Sequence, residues 1–221
     1  MVKLCGRFTL DTSIEVLESE LGIVLTEFQP SYNIAPTQQV LSIVGTNEGR
    51  KAGYLQWGLV PGWAKDPKIG SKMINARSET VDEKPSFKRL LSRRRCLIVA
   101  DSFYEWKREE KEKQPFRITV NDGQLFTFAG LWDRWRSGDQ EIVSCTILTT
   151  KPNRLMESIH DRMPVILQDK DQDNWIDPTI DDKAFLKSFL SPLDDSLMKA
   201  YPVSKKVNNP RNNDQSLIEP I

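Results

Sequence analysis

Four places in this chain hold side chains that could do chemistry together. They are a cysteine near the start (Cys5), an amide and a guanidinium two apart (Asn75 and Arg77), a glutamate among aromatics (Glu105) and the single histidine (His160). A cysteine within a chain offers one nucleophile. At a terminus it offers a thiol and an α-amine. The amine attacks an aldehyde to give an imine, and the thiol closes on the imine carbon to make a five-membered ring. An α-amine has a pKa of roughly 7.7–8.0, so a useful fraction is neutral near pH 7. Met1-Val2-Lys3-Leu4 precede Cys5, and with them attached its nitrogen is an amide that forms no imine. The competing reading of Cys5 is a buried apolar residue in a first strand, since cysteine is among the most buried residue types.

The other candidates carry the same two-sided reading. On an extended segment Asn75 and Arg77 share a face. The amide can hold a hydroxyl or aldehyde oxygen, and the guanidinium can grip a phosphate with two hydrogen bonds. Alternatively Asn75 forms a turn and Arg77 makes a surface ion pair with Glu79. Glu105, between Tyr104 and Trp106, is either a carboxyl held against rings with a raised pKa, suited to acid–base work, or an edge-strand residue pointing to water. His160 is the one residue able to serve as an ordinary neutral-pH proton shuttle, or is structural. Trp63 follows Pro61-Gly62 at a loop, where an exposed ring could stack on an unpaired base. The basic residues from Lys84 to Arg95 form a solvated face or track a phosphate backbone.

These residues need a scaffold, and the chain reads as strands with short, dispersed helices. Helical signals cover Asp11–Leu21, with Asp11, Thr12 or Ser13 as N-cap, then Ser86–Ser92, Asn153–Ile159, Gln172–Ile176 and Asp182–Leu190. Strands are expected at Val40–Val44, Tyr54–Val60, Cys96–Ala100, Phe103–Lys107, Ile142–Thr149 and Val165–Leu167. Phe116–Val120 and Leu125–Trp132, joined by Asn121-Asp122-Gly123, read as a β-hairpin. Ser31–Gln38 reads as loop because of Pro36, and Lys107–Lys113 as a solvated hairpin tip. The expected fold is α+β, one domain over residues 1–221, with a mostly antiparallel, barrel-like β core.

Composition narrows the classes. With 221 residues, 38% apolar and 28% charged, the chain can bury one proper core. Its formal net charge is zero, so no global field draws it to nucleic acid and any such binding rests on a local patch. No apolar run reaches membrane-spanning length, and no signal core opens the chain, so a cytoplasmic location is expected. Three cysteines, no C-x-x-C pair and one histidine argue against a zinc site, and no metal or organic cofactor is expected. Cys96 and Cys145 read as small buried hydrophobes.

Taken together, Cys5-Gly-Arg-Phe8, Tyr32-Asn-Ile-Ala-Pro-Thr37, Trp57-Gly-Leu-Val-Pro-Gly-Trp63, Asn75-Ala-Arg77 with Glu79, Arg95-Cys96, Phe103-Tyr-Glu-Trp106, Phe128-Ala-Gly-Leu-Trp132, Ile159-His-Asp-Arg-Met-Pro164 and Pro202-Val-Ser204 resemble the SRAP family. These are the SOS response-associated peptidases, or abasic-site processing proteins. The stretches run in family order along nearly the whole chain. The resemblance implies a single α+β domain with a curved β core. It also implies recognition of an abasic site in single-stranded DNA, often near a junction with duplex, and its covalent capture as a thiazolidine on an N-terminal cysteine. It assigns Cys5 as nucleophile, Asn75 to positioning, Glu105 to proton transfer and His160 to opening the sugar ring. Arg7, Arg77 and Arg162 become candidate phosphate contacts, and Asn33, Pro36, Thr37 and Trp63 candidate residues of the wall that kinks or stacks the DNA. A monomer of bacterial or phage origin is expected.

One departure stands out: the family begins Met-Cys-Gly-Arg-Phe. Leu4 sits at the Met position, and a UUG codon can start translation in bacteria, so a cellular start giving Cys5 as the mature terminus is the favoured expectation. Self-removal of the four residues and a retained, blocked terminus are the alternatives. Ser102 also departs, since the family carries a small residue, often Gly, there. The rival functions are a cysteine peptidase turning over ordinary peptides, a non-covalent DNA reader and a structural protein.

Overall fold

A computed structural model describes residues 5–108, 110 and 112–221; the expectations about residues 1–4 lie outside the described residues. The first part of the chain forms β1 (Phe8–Leu10), α1 (Ile14–Leu21), β2 (Ser31–Ile34), β3 (Gln39–Thr46), β4 (Gly49–Trp57) and β5 (Asn75–Arg77). Next come α2 (Lys88–Leu91), β6 (Arg95–Ala100), β7 (Ser102–Arg108), β8 (Lys113–Val120), β9 (Phe126–Ser137) and β10 (Gln140–Thr150). The chain ends with α3 (Arg154–Glu157), β11 (Met163–Pro164), β12 (Ile166–Leu167), α4 (Asp169–Ile176), α5 (Lys183–Ser188) and β13 (Met198–Pro202).

Five strands close into a barrel. β4 pairs β3, β3 pairs β6, β6 pairs β9, β9 pairs β10, and β10 returns to β4. Closure removes the open edges that a flat sheet would leave unpaired. The β10–β4 contact is parallel, as is that of β5 on β10; the other barrel pairings are antiparallel. A second sheet, in the order β13-β8-β7-β1-β2, packs beside the barrel. The expected α+β class with a barrel-like core is what the chain adopts.

Rings join the two sheets. Phe8 of β1 is fully buried, 5.1 Å from Trp57 and 5.6 Å from Phe128 between ring centroids. Burying such a ring stabilises by roughly 1.5–3 kcal/mol. This anchor fixes the strand that starts just after Cys5. The β1–β7 register pairs Phe8 with Phe103 and Thr9 with Ser102. Carried back, it sets Gly6 across from Glu105. Sequence thereby becomes site: one aromatic anchor aligns the Cys5-Gly6 segment with a carboxyl about a hundred residues away.

Several expectations need correction. The Asn121-Asp122-Gly123 turn does not close a hairpin, because β8 pairs β7 and β13 while β9 pairs β6, β10 and β12. The turn residues take the positive φ such a motif implies, with Asn121 at 45° and Asp122 at 60°. They serve a crossing between sheets instead. The long hairpin is β9–β10, registered from Gln140–Ser137 to Ile147–Gly130. Ser31–Ile34 is a strand rather than loop; the break comes at Pro36-Thr37, where Gln38 N–H bonds the Ala35 carbonyl at 3.2 Å. Ser13 is the N-cap of α1. The strand expected over Tyr54–Val60 starts earlier and ends at Trp57, because Gly58 (φ 127°) turns the chain out of the sheet.

The basic run also divides. Arg93 is exposed, Arg94 lies over the Trp132 ring and pairs with Asp133, and Arg95 is buried at 4% exposure. The Arg95 guanidinium donates to the carbonyls of Leu91, Trp175, Asp177 and Ile180. It thereby holds α2 and α4 to the barrel, and burial lowers its pKa to about 10.

Candidate active site

Cys5 and Glu105 meet in the interior. The Cys5 backbone nitrogen donates to Glu105 Oε1 at 2.6 Å, with Cys5 at 0% and Glu105 at 1% exposure. Desolvation raises the Glu105 pKa to about 8, against the bond from Cys5, which lowers it. This carboxyl therefore holds its proton near neutral pH. Burial, and then the nearby Glu105, push the Cys5 thiol well above its ordinary range, so the sulfur is a neutral thiol. Cys5 has φ of 25°, a left-handed value that residues with a Cβ rarely adopt.

A cleft of about 560 Å³ begins at Trp106, the residue after Glu105, and is lined by Arg77, Trp106 to Arg108 of β7, and Glu157 to Arg162. His160 and Arg162 sit in it on the segment after α3, which Asn153 caps by accepting the Met156 N–H at 2.9 Å. His160 Nδ1 accepts the Arg162 backbone N–H at 3.2 Å and lies 2.9 Å from Asp161 Oδ1. One nitrogen cannot accept from the first and donate to the second. The Asp161 side chain is 89% exposed, so water competes with His160 for its carboxylate. Burial lowers the His160 pKa, with Asp161 opposing. Lowered from its ordinary value near 6.5, the ring is neutral at pH 7.

Arg162 is held from behind. Both Glu79 oxygens accept from its two terminal nitrogens, one at 2.8 Å, and the Thr149 carbonyl accepts at 2.7 Å. Arg162 holds the Glu79 carboxyl below its ordinary range. The surface pair expected between Arg77 and Glu79 is therefore an Arg162–Glu79 pair, and Arg77 is left exposed in the cleft. Asn75 and Arg77 do alternate with a buried Ala76 on β5, in register with Ile147 and Thr149.

The remaining candidates fall into three places. Arg7 donates to Asn33 Oδ1 at 2.6 Å and to the Val207 carbonyl at 2.8 Å. Asn33, at 2% exposure, donates in turn to the carbonyls of Asn209 and Asn212. These two residues bind the C-terminal tail and do not line the cleft. Pro36 and Thr37 form an exposed turn, with Thr37 at φ 78°, a conformation costing a β-branched residue about 1–3 kcal/mol. Trp63 is 62% exposed on a separate groove. Sequence reasoning missed the buttress Glu79–Arg162–Thr149 and the lining residues Trp106, Lys107 and Arg108. The flanking of Glu105 by Trp106 was the one available signal. Among the described residues no cluster of His, Cys, Asp and Glu suits a metal ion, and no helix is long and apolar enough to cross a membrane.

Comparison with known proteins places this geometry. The family profile described as SOS response associated peptidase matches residues 4–210. The abasic site processing protein YoqW of Bacillus subtilis is 50% identical over 222 residues, spanning 98% of this chain and 99% of the relative. The abasic site processing protein HMCES of Xenopus tropicalis is 34% identical, covering 85% of this chain and 65% of that protein. A crystal structure of a Bacteroides thetaiotaomicron protein superposes with a TM-score of 0.90 at 26% identity, covering 98% of this chain and all of that one. On the extent of these matches, the chain belongs to the SOS response associated peptidase family.

Proposed function

We propose that this protein processes abasic sites in single-stranded DNA by capturing the lesion covalently on Cys5. Abasic site processing is what the relatives' names describe; the covalent chemistry is the finer reading. The observation that carries it is the 2.6 Å bond between the Cys5 nitrogen and a buried Glu105 that keeps its proton to about pH 8. A carboxyl buried against a backbone nitrogen is costly as architecture and useful as an acid.

The reaction requires a free α-amine on Cys5. His160, neutral at pH 7, takes the proton of the anomeric hydroxyl as the ring C–O bond of the closed sugar breaks, and returns it to the former ring oxygen, which becomes a hydroxyl as the aldehyde forms. The amine nitrogen attacks the aldehyde carbon to form a carbinolamine. Glu105 protonates its hydroxyl, which leaves as water, and the nitrogen lone pair forms the C=N bond. The Cys5 sulfur then adds to that carbon, and the thiol proton passes to nitrogen through the Glu105 carboxylate, which ends reprotonated when nitrogen sheds its extra proton. Aldehyde and aminothiol thus give thiazolidine and one water, with no oxidant or metal needed. Asn75 positions the opened sugar, and Arg77 takes a flanking phosphate. Arg162, already held by Glu79, orients His160. Asn33, the Pro36-Thr37 turn and Trp63 are the wall against the DNA, and Arg7, which lies over the Trp106 ring at 6.0 Å, takes a phosphate. The strained φ at Cys5 favours this reading too, because that torsion ceases to exist once Cys5 is terminal. Self-release of residues 1–4 is one route to that terminus.

The test is intact mass of the natively expressed protein before and after incubation with abasic single-stranded DNA. A mass starting at Cys5, with a DNA-sized gain that survives denaturation, is expected. A retained Met1 or Val2 and no gain would replace capture with non-covalent reading of the lesion. Turnover of ordinary peptides without an adduct would instead favour a cysteine peptidase.

A further inference from the structure

A second groove, of about 460 Å³, shares no lining residue with the cleft. Trp63, Arg89, Arg93, Arg94, Asp133 and Arg134 line it. Asp133 is the only acid in its lining, and it is already engaged: it pairs with Arg94 and accepts the Gly62 N–H at 2.8 Å. Arg134 leans on Glu141 at 3.7 Å. Arg89 and Arg93 are exposed, and neither forms an ion pair among the described residues. On the other side of Trp63 a further hollow of about 380 Å³ carries Lys65, Lys68 and Lys72 with one acid, Asp66, which accepts the Lys68 N–H at 2.9 Å. An exposed indole thus stands as a ridge between two cationic troughs, in a chain whose net charge is zero.

The ridge is built to stay in place. Gly58 and Gly70 meet at the neck of its loop, where a Cβ on Gly70 would lie 2.6 Å from the Gly58 carbonyl oxygen. Leu59 N–H bonds the Met73 carbonyl at 3.1 Å, and Gly58 N–H that of Cys145 at 2.9 Å. The Trp135 ring nitrogen donates to the Ala64 carbonyl at 2.6 Å. These bonds fix the loop backbone, and the indole it carries, 62% exposed, offers a face for stacking.

β10 links the groove to the cleft. Thr149 pairs with Arg77 in the cleft, and Ser144 pairs with Asp133 in the groove. Five residues of strand span about 17 Å, which is about five steps of duplex rise and fewer of an extended strand. We propose that this groove is a second DNA-backbone site. Arg89 and Arg93 take phosphates of the strand leading away from the lesion, and Trp63 stacks on a base as that strand passes. The identity of the ligand as DNA rests on the function proposed above; the groove itself rests on its charge and fixed geometry.

The experiment uses the full chain and undamaged single-stranded DNA, so that it reads backbone binding without lesion chemistry. Affinity and its salt dependence are measured for the wild type and for Arg89→Glu with Arg93→Glu. One oligonucleotide is about 15 nucleotides long and one about 4, too short to span both sites. On the long strand we expect about a tenfold or greater loss, and a log–log salt slope smaller by about 1.4, the release expected for two phosphate contacts. The loss on the short strand should be several-fold smaller, and Arg89→Lys with Arg93→Lys should restore most of the long-strand affinity. An unchanged slope, or equal losses on both lengths, would overturn the proposal. Failure of the parent reading looks different: a wild type with no preference for abasic over undamaged DNA removes lesion capture while leaving the groove's salt slope to stand or fall by itself.

Discussion

The Cys5–Glu105 pair and the Trp63 groove are opposite solutions to placing polar groups. In the first, a nitrogen, a thiol and a carboxyl are withdrawn from water, and desolvation reshapes their acidities. In the second, Arg89 and Arg93 stay exposed at and just after α2, beside an exposed indole on a loop pinned at its neck. Proton transfer profits from desolvation because a buried carboxyl becomes an acid at neutral pH. Long-chain polyanion binding profits from exposure, since its affinity comes from released counterions rather than from a dry contact. The cleft with Arg77, His160 and Arg162 lies between these extremes, half open and buttressed from behind.

Mutations test how far the contrast extends. The largest effect is expected from Cys5→Ala, which should abolish the denaturation-stable adduct, read by gel or mass, while leaving non-covalent binding to undamaged DNA within about twofold, because Cys5 makes no contribution to counterion release. An undiminished adduct would end the thiazolidine reading. Glu105→Gln should slow capture about a hundredfold. It should also remove a fall in rate that the wild type shows above about pH 8, where Glu105 loses its proton. If the alkaline limb persists in the variant, another group supplies the acid.

Stability should follow the same carboxyl. Its folded pKa is raised above the unfolded value, so the folded state binds the extra proton and wild-type stability falls as pH rises toward about 8. Buried Asp101, raised chiefly by burial and then by the charge of Asp11, adds a fall of the same sign. Glu105→Gln should therefore have a flatter Tm profile from about pH 5 to 8 than the wild type; parallel profiles would deny the burial of this group.

A smaller effect is expected at the buttress. Glu79→Gln leaves Arg162 with a neutral partner and should slow capture about tenfold. The loss should appear in the rate of adduct formation at saturating DNA rather than in affinity, because it acts through His160. The smallest effect sharpens the other side of the comparison. Arg89→Glu with Arg93→Glu should shift folding stability by no more than about 0.5 kcal/mol, as exposed substitutions do, despite its effect on DNA binding. A large loss would mean that the groove belongs to the architecture after all.

Much of the site could be read along the chain because its residue types are chemically distinctive. Cys5, Glu105 and His160 stand out by kind, and the apolar run 96–100 announces a strand buried on both faces. The failures share a cause. The Asn121-Asp122-Gly123 signal is local and correctly marks a turn, yet which strands then pair is decided by barrel closure. Arg93, Arg94 and Arg95 are one run in sequence and three environments in space, because alternation and the docking of α4 send each to a different side. The tail carbonyls that Arg7 and Asn33 bind are likewise invisible along the chain, because only the fold brings them there.

The sequence by itself determined the inventory: a cysteine with two potential nucleophiles, one histidine, a carboxyl among rings, a balanced net charge and a strand-rich pattern without a membrane-length helix. Only the tertiary structure decided which of these act on each other. The register of β1 against β7 put Glu105 on the Cys5 nitrogen, and burial turned that carboxylate into an acid. The segment after α3 half-buried His160 and lowered its pKa, and barrel closure separated the desolvated site from the exposed groove. Acidity and charge depend on surroundings, and those surroundings exist only once distant segments have packed.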